Sequence, residues 1–86
     1  MSETRETRLK RLRIRSWRRG TREMDLLLGA YADGPLADLD DAGLDAYEAL
    51  IEENDNDLYT WVSGSIAGPP RHGAAIARVR AWHKIG

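Results

Sequence analysis

The chain contains no cysteine among its 86 residues, which excludes disulfides and thiolate metal sites. Phenylalanine is also absent, and proline occurs three times. No apolar run approaches the ~20 residues that a membrane-spanning helix needs, because the most apolar stretch, 24–32, is interrupted by Asp25 and Gly29. We therefore expect no direct membrane insertion, and a small domain held together by packing of its leucine, isoleucine, tryptophan and tyrosine side chains.

The formal net charge of −1 conceals three blocks of alternating sign. Residues 1–22 hold nine Lys or Arg and two Glu, a net of +7. Residues 23–70 hold twelve Asp or Glu and no Lys or Arg, and residues 71–86 add four basic residues. This asymmetry indicates a protein that finds its partners through electrostatic attraction.

The basic N-terminal block does not resemble a targeting segment. It leads into no continuous apolar stretch, so a secretory signal is not indicated. Glu3 and Glu6 argue against a mitochondrial transit peptide, because such peptides are poor in acidic residues. Composition therefore predicts a cytoplasmic protein of bacterial type.

Apolar residues recur at helical spacing through most of the chain. Met24, Leu27, Leu28 and Tyr31 follow the i, i+3, i+4, i+7 pattern, and Asp40 is a good N-cap for a later helix. No strand pattern competes. The sequence predicts an all-α fold, a five-helix bundle forming a single domain over residues 1–86, with helices near 4–17, 21–32, 41–53, 56–63 and 72–84.

The spacing also predicts which side chains pack inward. The expected core comprises Leu9, Leu12, Trp17, Met24, Leu27, Leu28, Tyr31, Leu44, Tyr47, Leu50, Ile51, Leu58, Trp61, Val62, Ile76, Val79 and Trp82.

Few residues have the spacing that a catalytic or metal-binding site requires. His72 and His83 stand eleven positions apart with no carboxylate cluster nearby, so we expect solvated or capping histidines and no metal site. The aspartates between positions 38 and 45 lack the glycine and the glutamate that a calcium loop requires, and helix capping explains them better. No phosphate loop, nucleophile elbow or paired-carboxylate motif is present. The prediction is that the chain is not an enzyme.

The segment 18–23, Arg-Arg-Gly-Thr-Arg-Glu, has two interpretations that local physics leaves open. In the structural one, Gly20 adopts a positive φ between two helices and Glu23 reaches back to a free N–H at the start of the second helix. In the other, the crowded arginines Arg18, Arg19 and Arg22 serve a binding partner, because without an acidic surface nearby they repel one another.

The segment 55–64 contains two aromatic residues that cannot share one core. Tyr59 and Trp61 lie about 200° apart on a helix, so one of them is expected at the surface, where aromatic side chains favour recognition. We favour Trp61 as the core residue.

These two segments together resemble the FAD assembly factor SdhE family, whose mitochondrial counterpart is succinate dehydrogenase assembly factor 2. The Arg-Gly-x-x-Glu motif is present at residues 19–23. The second signature, Asp-x-x-Asp-Leu-aromatic-x-Trp, matches in part, through Asp57, Leu58, Tyr59 and Trp61. The resemblance covers about residues 8–64, and the C-terminal helix at about 72–84 contributes little to it.

The resemblance implies a chaperone of five helices. Members of the family bind the flavoprotein subunit of succinate dehydrogenase, and in bacteria also that of fumarate reductase, and promote covalent attachment of FAD to a client histidine. The factor itself is expected to hold no cofactor and to act on the FAD of its client. Its client-binding residues would be Arg18, Arg19, Gly20, Arg22, Glu23, Asp57 and Tyr59.

Two other functions remain open at this stage. The basic first helix with Trp17 fits a nucleic-acid-binding module, although the acidic block should repel phosphates. The second of these is a role as the small helical partner in a toxin–antitoxin pair. The oligomeric state is open.

Overall fold

The computed structural model describes residues 3–85, and every regular element in that range is helical. Helix α1 is Arg5–Trp17, α2 covers residues 22–33, α3 is Asp41–Ile51, α4 is Asp55–Ser63 and α5 is Gly73–Trp82. Single 3₁₀ turns, Pro35–Asp38 and Pro70–His72, follow α2 and precede α5. The predicted all-α class and five helices are confirmed, with helix ends within two residues of the predicted bounds.

Four helices begin with the same side-chain chemistry. Thr4, Thr21, Asp40 and Asn54 each accept a hydrogen bond from the backbone N–H three residues later, at 3.1, 3.3, 2.8 and 2.9 Å. Each cap satisfies a donor that has no partner inside the helix and contributes about 1 kcal/mol. The N-cap predicted at Asp40 is confirmed.

The chain divides into two compact units, Met1–Asp38 and Leu39–Gly86, and we describe each by itself. The single domain remains a prediction. In the first unit, α1 buries Leu12 and Ser16, whose hydroxyl donates to the Leu12 carbonyl at 2.8 Å. Helix α2 and the following turn bury Met24, Leu28, Tyr31, Ala32 and Leu36.

Helix α2 contains a π-helical turn at Asp25–Gly29. A π turn adds one residue and shifts the side chains that follow it around the helix axis. The buried apolar residues Met24, Leu28, Tyr31 and Ala32 nevertheless keep the i, i+4, i+7, i+8 spacing of one helix face, whereas Leu27, predicted in the core, is only partly buried.

The second unit contains α3, α4 and α5. Its buried apolar residues are Leu44, Tyr47, Leu50, Ile51, Leu58, Val62, Ala75, Ile76 and Val79. Helix α4 is followed by its C-cap residue Gly64, which has a φ of 88° and lies against the Arg80 guanidinium. Arg80 also donates to the Val62 carbonyl at 3.1 Å and so satisfies a terminal acceptor of α4.

Two expectations about tryptophan side chains in the core are wrong. Trp82, the last residue of α5, is 44% exposed, and its ring lies edge-on to the His83 ring, 4.9 Å away centroid to centroid. Trp17 is partly exposed at 37%. His72 occupies the predicted cap position, as the N-cap residue of α5, but its side chain makes no capping hydrogen bond and is buried at 3% exposure rather than solvated.

Candidate recognition loop

The loop of residues 18–21, which we call the glycine loop, joins α1 to α2. Gly20 has a φ of 97°, in the region that glycine adopts without strain. A Cβ built on Gly20 meets no atom of the described chain within 4 Å. The glycine is therefore required by backbone conformation, and its outer side is open to a partner. The predicted positive φ is confirmed.

Two contacts tie the glycine loop to α2. At its start, the Trp17 indole lies against Gly29 and donates from Nε1 to Asp33 Oδ1 at 3.0 Å. In its middle, the Arg19 backbone N–H donates to Asp25 Oδ1 at 3.2 Å. The loop is consequently shaped before any partner arrives, which lowers the entropy lost on binding.

The structural role predicted for Glu23 is wrong. Thr21 supplies the N-cap of α2, and Asp25 is the acidic residue that reaches back to the loop. A glutamate at the third position would complete a capping box, but the helix begins at Arg22 and Glu23 is only its second residue. Glu23 is exposed, and its carboxylate has no hydrogen bond or ion pair within residues 3–85.

The charged side chains around Gly20 differ in their burial and in their contacts with the rest of the described chain. Arg18 and Arg22 are exposed, whereas Arg19 is partly buried. Within residues 3–85, neither Arg18 nor Arg22 has a side-chain hydrogen bond or ion pair. The loop thus presents two cations and one carboxylate beside an open glycine, a pattern suited to a partner surface that carries both signs of charge.

The second signature lies on α4, in the other unit. Asp57 is exposed, and its carboxylate accepts from the Asn54 amide at 2.8 Å. Because the Asp57 backbone N–H is also capped by Asn54, this aspartate has a structural role that accounts for part of the signature.

The aromatic residues of the second signature separate as expected. Tyr59 is 49% exposed. Trp61 is partly buried, and its ring lies 5.9 Å from the His72 ring, centroid to centroid. The prediction that one of the two lies at the surface is confirmed, with Trp61 as the inner one.

An acid–base pair in the second unit, a buried His72 and a partly exposed Glu53, has no counterpart in the sequence analysis. His72 Nε2 lies 2.7 Å from Glu53 Oε2, and Arg71 donates to the same oxygen at 2.9 Å. These bonds, from His72 first and Arg71 second, hold the pKa of the Glu53 carboxyl below its ordinary value. Nothing in the spacing signals a contact over nineteen positions, because only the tertiary fold brings the two residues together.

This pair is poorly placed for chemistry. His72 is almost fully buried, and its Nδ1 has no hydrogen-bond partner within the described residues. A substrate atom could not reach the ring without unpacking it from Trp61. The Glu53–His72 contact therefore stabilises the second unit.

The rest of residues 3–85 offers little for a metal, membrane or catalytic site. Within residues 3–85, no three His, Cys, Asp or Glu side chains lie close enough to hold a metal ion. No helix in that range is long and apolar enough to cross a membrane. An open groove of about 390 Å³ in the second unit is lined by Trp61, Ile66, Ile76 and Arg80, among others, and contains no acid–base pair.

Several cations of α1 are bound within the first unit. Arg5 donates to the Ala37 carbonyl at 3.0 Å, Arg11 binds Glu3, and Arg13 lies 3.5 Å from Asp33. The basic block is thus partly neutralised by its own unit. Nothing here supports the nucleic-acid alternative.

The chain is thus a small all-α protein whose distinctive feature is a preshaped, charged loop. Proteins that bind other proteins present loops of this kind. The family model described as "Flavinator of succinate dehydrogenase", Sdh5, matches residues 10–83. The chain belongs to this family, and the family predicted from the two motifs is confirmed.

Relatives with curated names agree. Two fungal proteins named succinate dehydrogenase assembly factor 2, mitochondrial, are 45% identical over 60 residues (Mycosarcoma maydis) and 46% identical over 61 residues (Meyerozyma guilliermondii). These alignments cover 70% and 71% of this chain but 25% and 45% of the relatives. A Drosophila grimshawi protein of the same name is 36% identical over 78 residues, 88% of this chain and 53% of the relative.

The chain thus spans between a quarter and about half the length of these relatives. No solved structure matches.

The predicted bacterial, cytoplasmic location is contradicted by these relatives, which are named as mitochondrial proteins of fungi and insects. The composition of a folded chain does not encode its compartment, because address segments are read separately from the fold. The acidic residues Glu3 and Glu6 therefore gave no valid test of targeting.

Proposed function

We propose that this chain is an assembly factor that binds the flavoprotein subunit of succinate dehydrogenase and promotes covalent attachment of FAD to a histidine of that subunit. Family membership supports the client and the reaction. The single observation that carries the site is the open, positive-φ Gly20, flanked by the exposed Arg18, Arg22 and Glu23. The flavoprotein subunit of fumarate reductase is the second client to test.

The factor acts without a catalytic group or a cofactor of its own, and its contribution is to position the client. Holding the client histidine against the flavin keeps the two reacting groups close and correctly oriented. In well-oriented reactions this proximity lowers the activation free energy by about 7–11 kcal/mol. The preshaped glycine loop suits this role because a rigid contact uses its binding energy to hold the client in one geometry.

Glu23 is the sharpest test, because α1 offers a matched control. Glu6 and Glu23 are both exposed glutamates at the second residue of a helix that begins after a threonine N-cap. Their interactions with the helix dipole are equivalent, about 0.3–1 kcal/mol each. A difference between Glu6→Ala and Glu23→Ala therefore reports on the partner and not on helix stability.

The experiment co-expresses each variant with the flavoprotein subunit and measures covalent flavin by in-gel fluorescence after denaturation. We expect Glu23→Ala to lower covalent flavin about tenfold or more, with Glu6→Ala equal to the unmodified chain. Equal flavin in both variants would show that the Glu23 carboxylate has no role. An unmodified chain that does not raise covalent flavin above the level without it would refute the function.

A further inference from the structure

The hydrogen bond between Asp25 and the Arg19 peptide links the first turn of α2 to the glycine loop. The Arg19 N–H lies in the loop between α1 and α2, and Asp25 Oδ1 accepts its hydrogen bond at 3.2 Å. Asp25 is itself held in place, because its own backbone N–H donates to the Thr21 carbonyl at 3.1 Å. The carboxylate thus fixes the Arg18–Arg19 peptide, one residue before the peptide that joins Arg19 to Gly20.

The local helix geometry contributes to this contact. Asp25 is the first residue of the π-helical turn Asp25–Gly29, and such turns occur frequently at functional sites. On the far side of the same turn, Gly29 receives the Trp17 indole. One turn of α2 therefore anchors the glycine loop at two points, through Asp25 at its first residue and through Gly29 at its last.

We propose that Asp25 is a positioning residue for client binding: by holding the Arg19 peptide, it keeps Gly20 in the positive-φ conformation that the client meets. The proposal rests on the proposed function, which supplies the client. It assigns a role to a carboxylate one turn beyond the loop, whereas the family motif ends at Glu23. Asp25 is partly buried beneath the loop, so its effect on the client passes through Arg19 and Gly20.

The first measurement needs no client. Amide hydrogen exchange, followed by NMR, reports directly on the Arg19 N–H. We expect Asp25→Ala to speed exchange at Arg19 at least about tenfold, because the amide loses its acceptor. Asp25→Asn, which keeps an oxygen acceptor, should stay within about threefold of the unmodified chain. Unchanged protection of Arg19 in Asp25→Ala would overturn the proposed anchor.

The second measurement is affinity for the purified flavoprotein subunit, with thermal unfolding recorded for every variant. Asp25→Ala should raise Kd about tenfold, the loss typical of one hydrogen bond to a charged group, while Asp25→Asn retains most of the affinity. Asp38→Ala is the control, since Asp38 is an exposed aspartate of the same unit with no side-chain partner within residues 3–85.

A double-mutant cycle with Gly20→Ala separates positioning from direct contact. If Asp25 acts through the loop, its removal should change Kd less than about threefold once Gly20→Ala has already altered the loop. A full tenfold effect in that background would show that Asp25 acts on its own and would overturn the positioning role.

The two proposals fail differently. If the unmodified chain does not bind the flavoprotein subunit, the proposed function is wrong. If it binds and Asp25→Ala binds equally well, the role of Asp25 alone is wrong.

Discussion

The indole ring of Trp17 lies directly against Gly29, so closely that a Cβ at position 29 would overlap the ring. The φ and ψ of Gly29, −63° and −45°, are those of an ordinary helix, so the backbone does not require glycine there. The glycine is needed because of the tryptophan. This contact fixes where α1 ends relative to α2, and hence where the glycine loop begins.

Gly29→Ala should therefore destabilise the protein by about 1–3 kcal/mol, as overpacking of a close contact does. The reason can be tested in a Trp17→Ala background, where the clash is absent. There the same substitution should stabilise the protein by about 0.5–1 kcal/mol, because alanine is the better helix former. Urea unfolding followed by circular dichroism measures both values, and the same sign in both backgrounds would contradict the explanation.

Gly20 and Gly73 form a matched pair for a second prediction. Neither has an atom near the place of a Cβ, but φ is 97° at Gly20 and −55° at Gly73. Gly20→Ala should lower the free energy of unfolding by about 1–2 kcal/mol through backbone strain. Gly73→Ala should be neutral or stabilise by about 0.4–1 kcal/mol, through the reduced entropy of the unfolded chain. Equal effects in denaturant unfolding would mean that the loop relaxes to a negative φ.

The helices could be predicted from the sequence because their signals are local. Asp40 caps the helix that it precedes, and Gly34 and Gly64 follow the last residues of theirs. The positive φ of Gly20 and the surface position of Tyr59 could also be predicted, since each follows from a few neighbouring residues.

The contacts that shape the site could not be predicted in this way. The Arg19–Asp25 bond depends on how the loop folds back on α2. The π turn changes the backbone hydrogen-bond pattern, which the spacing of apolar residues does not reveal. The Glu53–His72 pair spans nineteen positions of chain. Motif matching identified Glu23 without a physical role, because its exposed carboxylate has no hydrogen bond or ion pair within residues 3–85.

A third prediction concerns acid stability. The hydrogen bonds from His72 and Arg71 lower the pKa of the Glu53 carboxyl. A carboxyl with a lowered pKa contributes stability above its ordinary pKa and loses that contribution as the pH falls through the lowered value. Glu53→Gln should therefore be less stable than the unmodified chain at about pH 7, with the two converging below about pH 4.

Thermal unfolding of both proteins across this pH range measures the effect. Glu6→Gln is the control, since Glu6 is exposed and has no side-chain partner within residues 3–85; its curve should stay parallel to that of the unmodified chain. A constant gap between Glu53→Gln and the unmodified chain at every pH would show that the Glu53 charge does not contribute to stability.

The last prediction tests Tyr59 as a client contact. Half of this side chain is exposed on α4, so its removal should change the free energy of unfolding by no more than about 0.5 kcal/mol. If the client covers it, Tyr59→Ala should raise Kd for the flavoprotein subunit roughly thirtyfold, as loss of an aromatic hot spot of about 2 kcal/mol does. Trp82→Ala is the control, because Trp82 is similarly exposed at 44% but lies outside both motifs. Equal affinity in both variants, or a loss of affinity matched by unfolding of Tyr59→Ala, would remove Tyr59 from the client interface.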